Sequence, residues 1–182
     1  MKINGYEIKP GADLRRADLR GVDLSNVNLR ESDFTEANLS KSNFSEADLY
    51  KTNFTKADLA GANLSSANIS EADFYKADLS EVDLFEANLS GANFFGVDLC
   101  FSDLAGANLE NVNFAGLNLK NADLENTNLK NANLKGADLE NAYLAGSDIT
   151  GADLEGANLT GADLTGTKIK IGNRVFELKD VV

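Results

Sequence analysis

Carboxylates and carboxamides are the residues with the most chemistry to offer in this 182-residue chain, and they recur every five positions from Asp13, Asp18, Asp23 and Asn28 to Asp163, with Tyr143 the one interruption. Paired carboxylates perform general acid–base work, but only where they converge in a concave site. There is no histidine, so Ser–His and Cys–His nucleophiles and histidine-bound metals are excluded. The single cysteine, Cys100, allows no intramolecular disulfide, and no neighbouring His, Lys or Arg in the sequence marks it as a reactive thiol. The glycines sit at repeat corners rather than in a strand-to-helix phosphate loop. No catalytic, cofactor-binding or metal-ligating set is expected, and the chain is not read as an enzyme.

The elements that position these groups follow from the repeat itself. Residues 12–166 are 31 consecutive pentapeptides in one unbroken frame, ADLRR, ADLRG, VDLSN through ANLTG and ADLTG. The third residue is always Leu, Phe or Ile, and the first is small except at Leu117. A helix turning about 100° per residue scatters a period of five around its surface. A continuous strand throws every second Leu to the opposite face. The chain must therefore turn once per repeat, with the small residue and the Leu or Phe inward, Asp or Asn outward, and the last two positions forming the corner.

Phenylalanine gives the size of the coil. It occupies the third position at Phe34, Phe54, Phe74, Phe94 and Phe114, with Phe44 off that series. A spacing of 20 means four pentapeptides per turn, so five rings are expected to stack in one column at roughly 4.8 Å. The fold class is all-β: a four-sided parallel β-solenoid of about eight coils, roughly 37 Å long. The spacing does not reveal its handedness.

With A(D/N)LXX as its motif, matched outright by ADLRR, ANLSK, ADLAG, ANLTG and ADLTG, the chain resembles the pentapeptide repeat proteins, and in particular cyanobacterial-type members. The resemblance implies a right-handed quadrilateral parallel β-helix with Leu or Phe inside. It also implies a range of roles, from uncharacterised cyanobacterial proteins to inhibitors of DNA gyrase. Gyrase-blocking members often interrupt the stack with loops or add a C-terminal dimer helix; this repeat shows no interrupting loop.

The two ends depart from the repeat. Residues 1–11 carry Asn4-Gly5 between short alternating runs and read as an N-terminal capping hairpin. Residues 167–182 carry Gly172-Asn173 between KIKI and RVFE and read as a capping hairpin, or as a contact in an end-to-end homodimer; monomer and dimer both stay open. MKINGYEI lacks the apolar run of a signal peptide, and a polar residue every five positions rules out a membrane-spanning helix. A cytoplasmic location is expected.

The net charge is −12 for the chain and −15 for residues 12–166. Sorted by column of 20, the side beginning at Val22 has no Lys or Arg and carries Asp23, Glu46, Asp83, Glu86, Asp103, Asp123, Glu125 and Asp163. Duplex DNA of about 37 Å carries about 22 charges. A rod of this size and sign would compete for a basic DNA-binding groove, which makes an inhibitor or protector of a type II topoisomerase such as gyrase the alternative function; acidity as a by-product of the repeat is the plainer cause. Direct nucleic-acid binding is disfavoured, because Arg15, Arg16, Arg20 and Arg30 are confined to the first coil, where they are expected to offset Asp13, Asp18 and Glu31. Outward aromatics offer a surface for a protein partner, with Tyr75, Phe85, Phe95 and Phe101 as candidate contacts. The leading expectation is a non-catalytic interaction surface or scaffold whose partner is a protein that the sequence does not identify.

Overall fold

The structure is a computed structural model that describes residues 1–171 and 174–178. From Ala12 to Gly166 one backbone rule repeats. With one exception, the second residue of each pentapeptide from Asp13 to Asp148 bridges in parallel to the residue 20 places on, Asp13 to Asp33, Asp18 to Asn38, and so to Asp148 with Lys168. The result is a right-handed quadrilateral β-helix, and no described residue is helical. Each side has one bridged residue between two turns, because a five-residue side that gives two residues to a corner keeps only about 10 Å of extended chain.

The hydrogen bonds show why each position has its residue type. Leu14 N–H donates to Asp33 C=O at 2.8 Å, Asp33 N–H to Ala12 C=O at 2.9 Å, and Arg16 N–H to Thr35 C=O at 2.9 Å, tying coil to coil. At the corner Ala17 N–H donates to Leu14 C=O at 3.1 Å, closing a β-turn. The fifth residue of every pentapeptide has φ between 54° and 80°, the left-handed geometry of a type II turn. The second residue serves the same corner. Its Oδ1 accepts the N–H two residues on, as at Asp33 with Thr35 (2.9 Å) and Asn63 with Ser65 (2.8 Å). This side-chain-to-backbone turn suits Asp and Asn alike. Carboxamides add a ladder between coils, with Asn68, Asn88, Asn108 and Asn128 each donating to the side chain one coil earlier at 2.9–3.2 Å.

The third residues fill the core, nearly all of them wholly buried. Burying such a side chain stabilises by about 1.5–3 kcal/mol before chain entropy is subtracted. Phe34, Phe54, Phe74 and Phe94 stack at centroid spacings of 5.1–5.3 Å and within 17° of parallel. The fifth ring departs from the expected column: Phe114 is turned 61° from Phe94. Where the first residue is Ser or Thr its buried hydroxyl mostly donates to a nearby carbonyl, as Ser42 to Leu39 and Thr52 to Leu29, whereas the Ser147 hydroxyl has no partner among the described residues.

The ends differ. β1 (Lys2–Ile3) and β2 (Tyr6–Glu7) form an antiparallel hairpin through Asn4 (φ 50°) and Gly5 (φ 88°). Ile8 is buried and Ile3 and Tyr6 pack on the core, so Leu14, Leu19, Leu24 and Leu29 are sealed. At the other end β3 (Lys168–Ile171) pairs antiparallel with β4 (Arg174–Glu177), while Gly172-Asn173 of the expected turn lie outside the described residues. Leu154, Leu159 and Leu164 of the final coil stay only half-buried.

Candidate interaction surface

The helix puts the acidic residues where the column of 20 places them. Asp83, Asp103 and Asp123 are bridged in succession, and Asp23 and Asp163 lie at the two ends of the same side. Glu46 and Glu86 project from its left-handed corners, and Glu125 stands beside Asp123. None of these eight carboxylates forms an ion pair among the described residues. Each Asp serves its own corner: Asp23 accepts from Ser25 N–H, Asp83 from Phe85, Asp103 from Ala105, Asp123 from Glu125 and Asp163 from Thr165, at 2.9–3.1 Å. The Ser25 and Thr165 amides hold the Asp23 and Asp163 carboxyls below their ordinary values. Asn43 and Asn63 make the same turn on the same side without charge, so the turn needs the oxygen and not the anion.

Three of the four first-coil arginines are engaged, one with an expected partner and two with carboxylates of the next coil, while Arg20 forms no ion pair among the described residues. Arg15 pairs with Asp13 at 2.7 Å, but Arg16 reaches Glu36 (2.8 Å) and Arg30 reaches Asp48 (3.1 Å) in the next coil. Arg30 also lies 4.3 Å from the Tyr50 ring centre. Tyr50 donates its hydroxyl to Glu71. These are internal contacts of the rod.

Two of the candidate aromatics are brought together and the others are not. Tyr75 and Phe95 stack at 5.7 Å and 8°, with the Lys76 ammonium 5.2 Å from the Tyr75 ring. Phe95 is 63% exposed and Phe101 75%. They stand at opposite edges of one short side, 97–101. Phe85 is exposed on the acidic side, apart from this pair.

Between Phe95 and Phe101 the coil ladder opens. Every step from Asp13 to Asp148 carries its bridge except Asp78 to Asp98. One coil earlier Leu59, Gly61 and Asp78 N–H groups donate to the adjacent coil at 2.8–2.9 Å. The equivalent amides of Leu79, Glu81 and Asp98 have no backbone acceptor among the described residues. The inward first residues of this side explain the gap. They run Ala17, Ala37, Ala57, Ala77, then Val97 and Leu117, before returning to Ala137. Extra carbons in a closely packed interior force the backbone apart, and the turned ring of Phe114 lies in the neighbouring pentapeptide. The seam is a groove of about 560 Å³ floored by Ala77 and Leu79, with Phe101 on its lip. A smaller groove of about 420 Å³ on the next step is lined by Phe95, Val97 and Leu117, among others. Sequence reasoning did not single out Asp78, Leu79, Glu81 or Asp98; the signal was Leu117, the one large residue at a small position.

Comparison with known proteins agrees with this architecture. Residues 12–166 match the family of pentapeptide repeats through eight copies, in segments from 12–49 to 127–166. No curated protein sequence matches the chain. Among solved structures, HetL, a pentapeptide repeat protein involved in heterocyst differentiation regulation from the cyanobacterium Nostoc sp. strain PCC 7120, is 33% identical, with a TM-score of 0.61 over 87% of this chain and 83% of its own. Full-length QnrB1, a plasmid-mediated fluoroquinolone resistance protein, is 23% identical, with a TM-score of 0.64 over 89% of this chain and 91% of its own, a likeness of fold alone. Five-residue periodicity, four-sided coils and the family match converge: the chain belongs to the pentapeptide repeat family.

Proposed function

We propose that this protein is a non-catalytic scaffold of the cytoplasm that docks a partner protein on the side between Phe95 and Phe101. The observation that carries the reading is the coincidence of two largely exposed phenylalanines with the one interrupted bridge of the rod. Large aromatics are enriched at the centres of protein interfaces and are uncommon on bare surfaces. The regulatory involvement named for HetL supports a role exercised through contacts. The test is capture of a partner followed by binding of the purified pair. Phe95→Ala with Phe101→Ala should weaken binding by at least tenfold, while Asp83→Lys with Asp103→Lys should leave it intact; the opposite pattern overturns the assignment.

The eight unpaired carboxylates of the Val22 side favour a second reading, a DNA-mimicking inhibitor or protector of gyrase. Its test is a supercoiling assay at two salt concentrations. Salt-sensitive inhibition that disappears in Asp83→Lys with Asp103→Lys would establish it, since counterion-driven competition weakens with salt. Retention of all five aspartates as turn acceptors ranks it below docking.

A further inference from the structure

We propose that the seam between sides 77–81 and 97–101 is a socket for a lysine or arginine side chain carried by an extended segment of the partner protein. The inference deepens the docking role proposed above and rests on it. Three features of the groove point to this occupant. Its floor, Ala77 and Leu79, and its lip, Phe101, are apolar and match the aliphatic stem of a long basic residue. The Phe101 ring is exposed and offers a face to the cationic head.

Its rim is charged and unpaired. Asp78, Glu81 and Asp98 line the groove and form no ion pair among the described residues. The one basic residue of the lining, Lys76, lies over Tyr75. Elsewhere the same side neutralises itself from within, where Lys120 holds Asp138 at 3.2 Å and Glu140 at 2.9 Å. Here no lysine fills the equivalent place, since the fourth residue one coil before Asp98 is Ser80 and the one before Asp78 is Ala60. The backbone supplies the third feature. The opened step leaves the amides of Leu79, Glu81 and Asp98 and the carbonyls of Ala77, Asp98 and Cys100 without the partners that their counterparts have in the coil before. These are donors and acceptors in strand-like order, which an extended chain can use and a small cation cannot.

The first test needs no ligand. Hydrogen exchange should be faster at the amides of Leu79, Glu81 and Asp98 than at Leu59, Gly61 and Asp78; equal protection means that the seam is closed and the proposal fails. The second is an amide-resolved NMR titration with the peptide acetyl-Ala-Leu-Arg-Leu-Ala-amide and its Gln analogue. Shifts should centre on the three seam amides, and the Gln analogue should bind about tenfold more weakly, a difference of 1.4 kcal/mol. The triple variant Asp78→Asn, Glu81→Gln, Asp98→Asn should lose the Arg preference without a change in melting temperature, because the amide oxygens still cap Ser80 and Cys100. Equal binding of both peptides, or equal shifts along Asp83 and Asp103, overturns the socket. Partner binding lost in Phe95→Ala without any seam shift leaves docking standing and removes the socket. Seam shifts in a protein whose Phe95→Ala variant keeps its partner do the reverse.

Discussion

The same backbone is built in two ways along the rod. At the left-handed fifth position, residues 16–101 hold Arg, Glu, Lys, Ser or Phe at 13 of 18 places, whereas residues 106–166 hold only Gly or Asn. A left-handed conformation costs an ordinary L-residue about 1–2 kcal/mol, and Gly or Asn much less. The first region accepts that strain and obtains charged corners that pair between coils, as Arg16 with Glu36 and Lys51 with Glu71. It also has the phenylalanine stack. The second region relaxes the corners and moves its charge one residue back, where Lys120 and Lys135 each hold two carboxylates. Corner chemistry and core chemistry therefore compensate each other across the molecule, and the open seam lies close to the change from one to the other.

The largest effect that sharpens this comparison is in the core. Phe74, stacked on Phe54 and Phe94, and Leu134 occupy the same column. Phe74→Ala should lower stability by about 3–5 kcal/mol, and Leu134→Ala should fall at the lower end of about 2–5 kcal/mol, read as shifts in urea midpoint; equal losses would mean that the ring stack adds nothing. Next come the corners. At Gly151 (φ 80°) a Cβ would collide with the Asn131 side chain, so Gly151→Glu should destabilise by at least about 1–2 kcal/mol, whereas Glu31→Asn (φ 58° at Glu31) should stabilise by up to about 1 kcal/mol. The same sign from both substitutions would break the distinction.

Smaller still is the carboxamide ladder. Asn88→Asp keeps the turn acceptor but removes the donor to Asn68, and should cost about 1 kcal/mol. The least is expected from acid. The Arg15 guanidinium beside Asp13 holds its carboxyl down to about 2, below an unfolded value near 4. A depressed folded pKa means stabilisation that is present above pH 4 and declines as the pH falls towards 2. Melting temperature should drop over that interval, and drop less in Asp13→Asn.

Much of this was legible because a pentapeptide leaves few choices. The unbroken frame and the spacing of Phe34, Phe54, Phe74, Phe94 and Phe114 defined four-sided coils, and Asn4-Gly5 marked the N-terminal hairpin. The left-handed fifth position was harder to read, since Gly and Asn announce it at every place only from Gly106 on, while Glu and Lys conceal it at most places before. The seam was hidden for another reason. No single residue creates it: Val97 is ordinary by itself, and only its stacking with Leu117 in a column of alanines exceeds the space available. Acidity was legible as a pattern, but its work at the corners depends on side-chain direction, which composition does not contain.

The missing bridge at Asp78–Asp98 also has a mechanical meaning. Each coil is fastened only to its neighbours, so a rod pulled from its two ends would yield one coil at a time. Every released coil would turn about 4.8 Å of rod into about 65 Å of slack chain. Tearing should begin where the fastening is already thinnest, making the seam a built-in perforation that divides the rod into two lengths under tension.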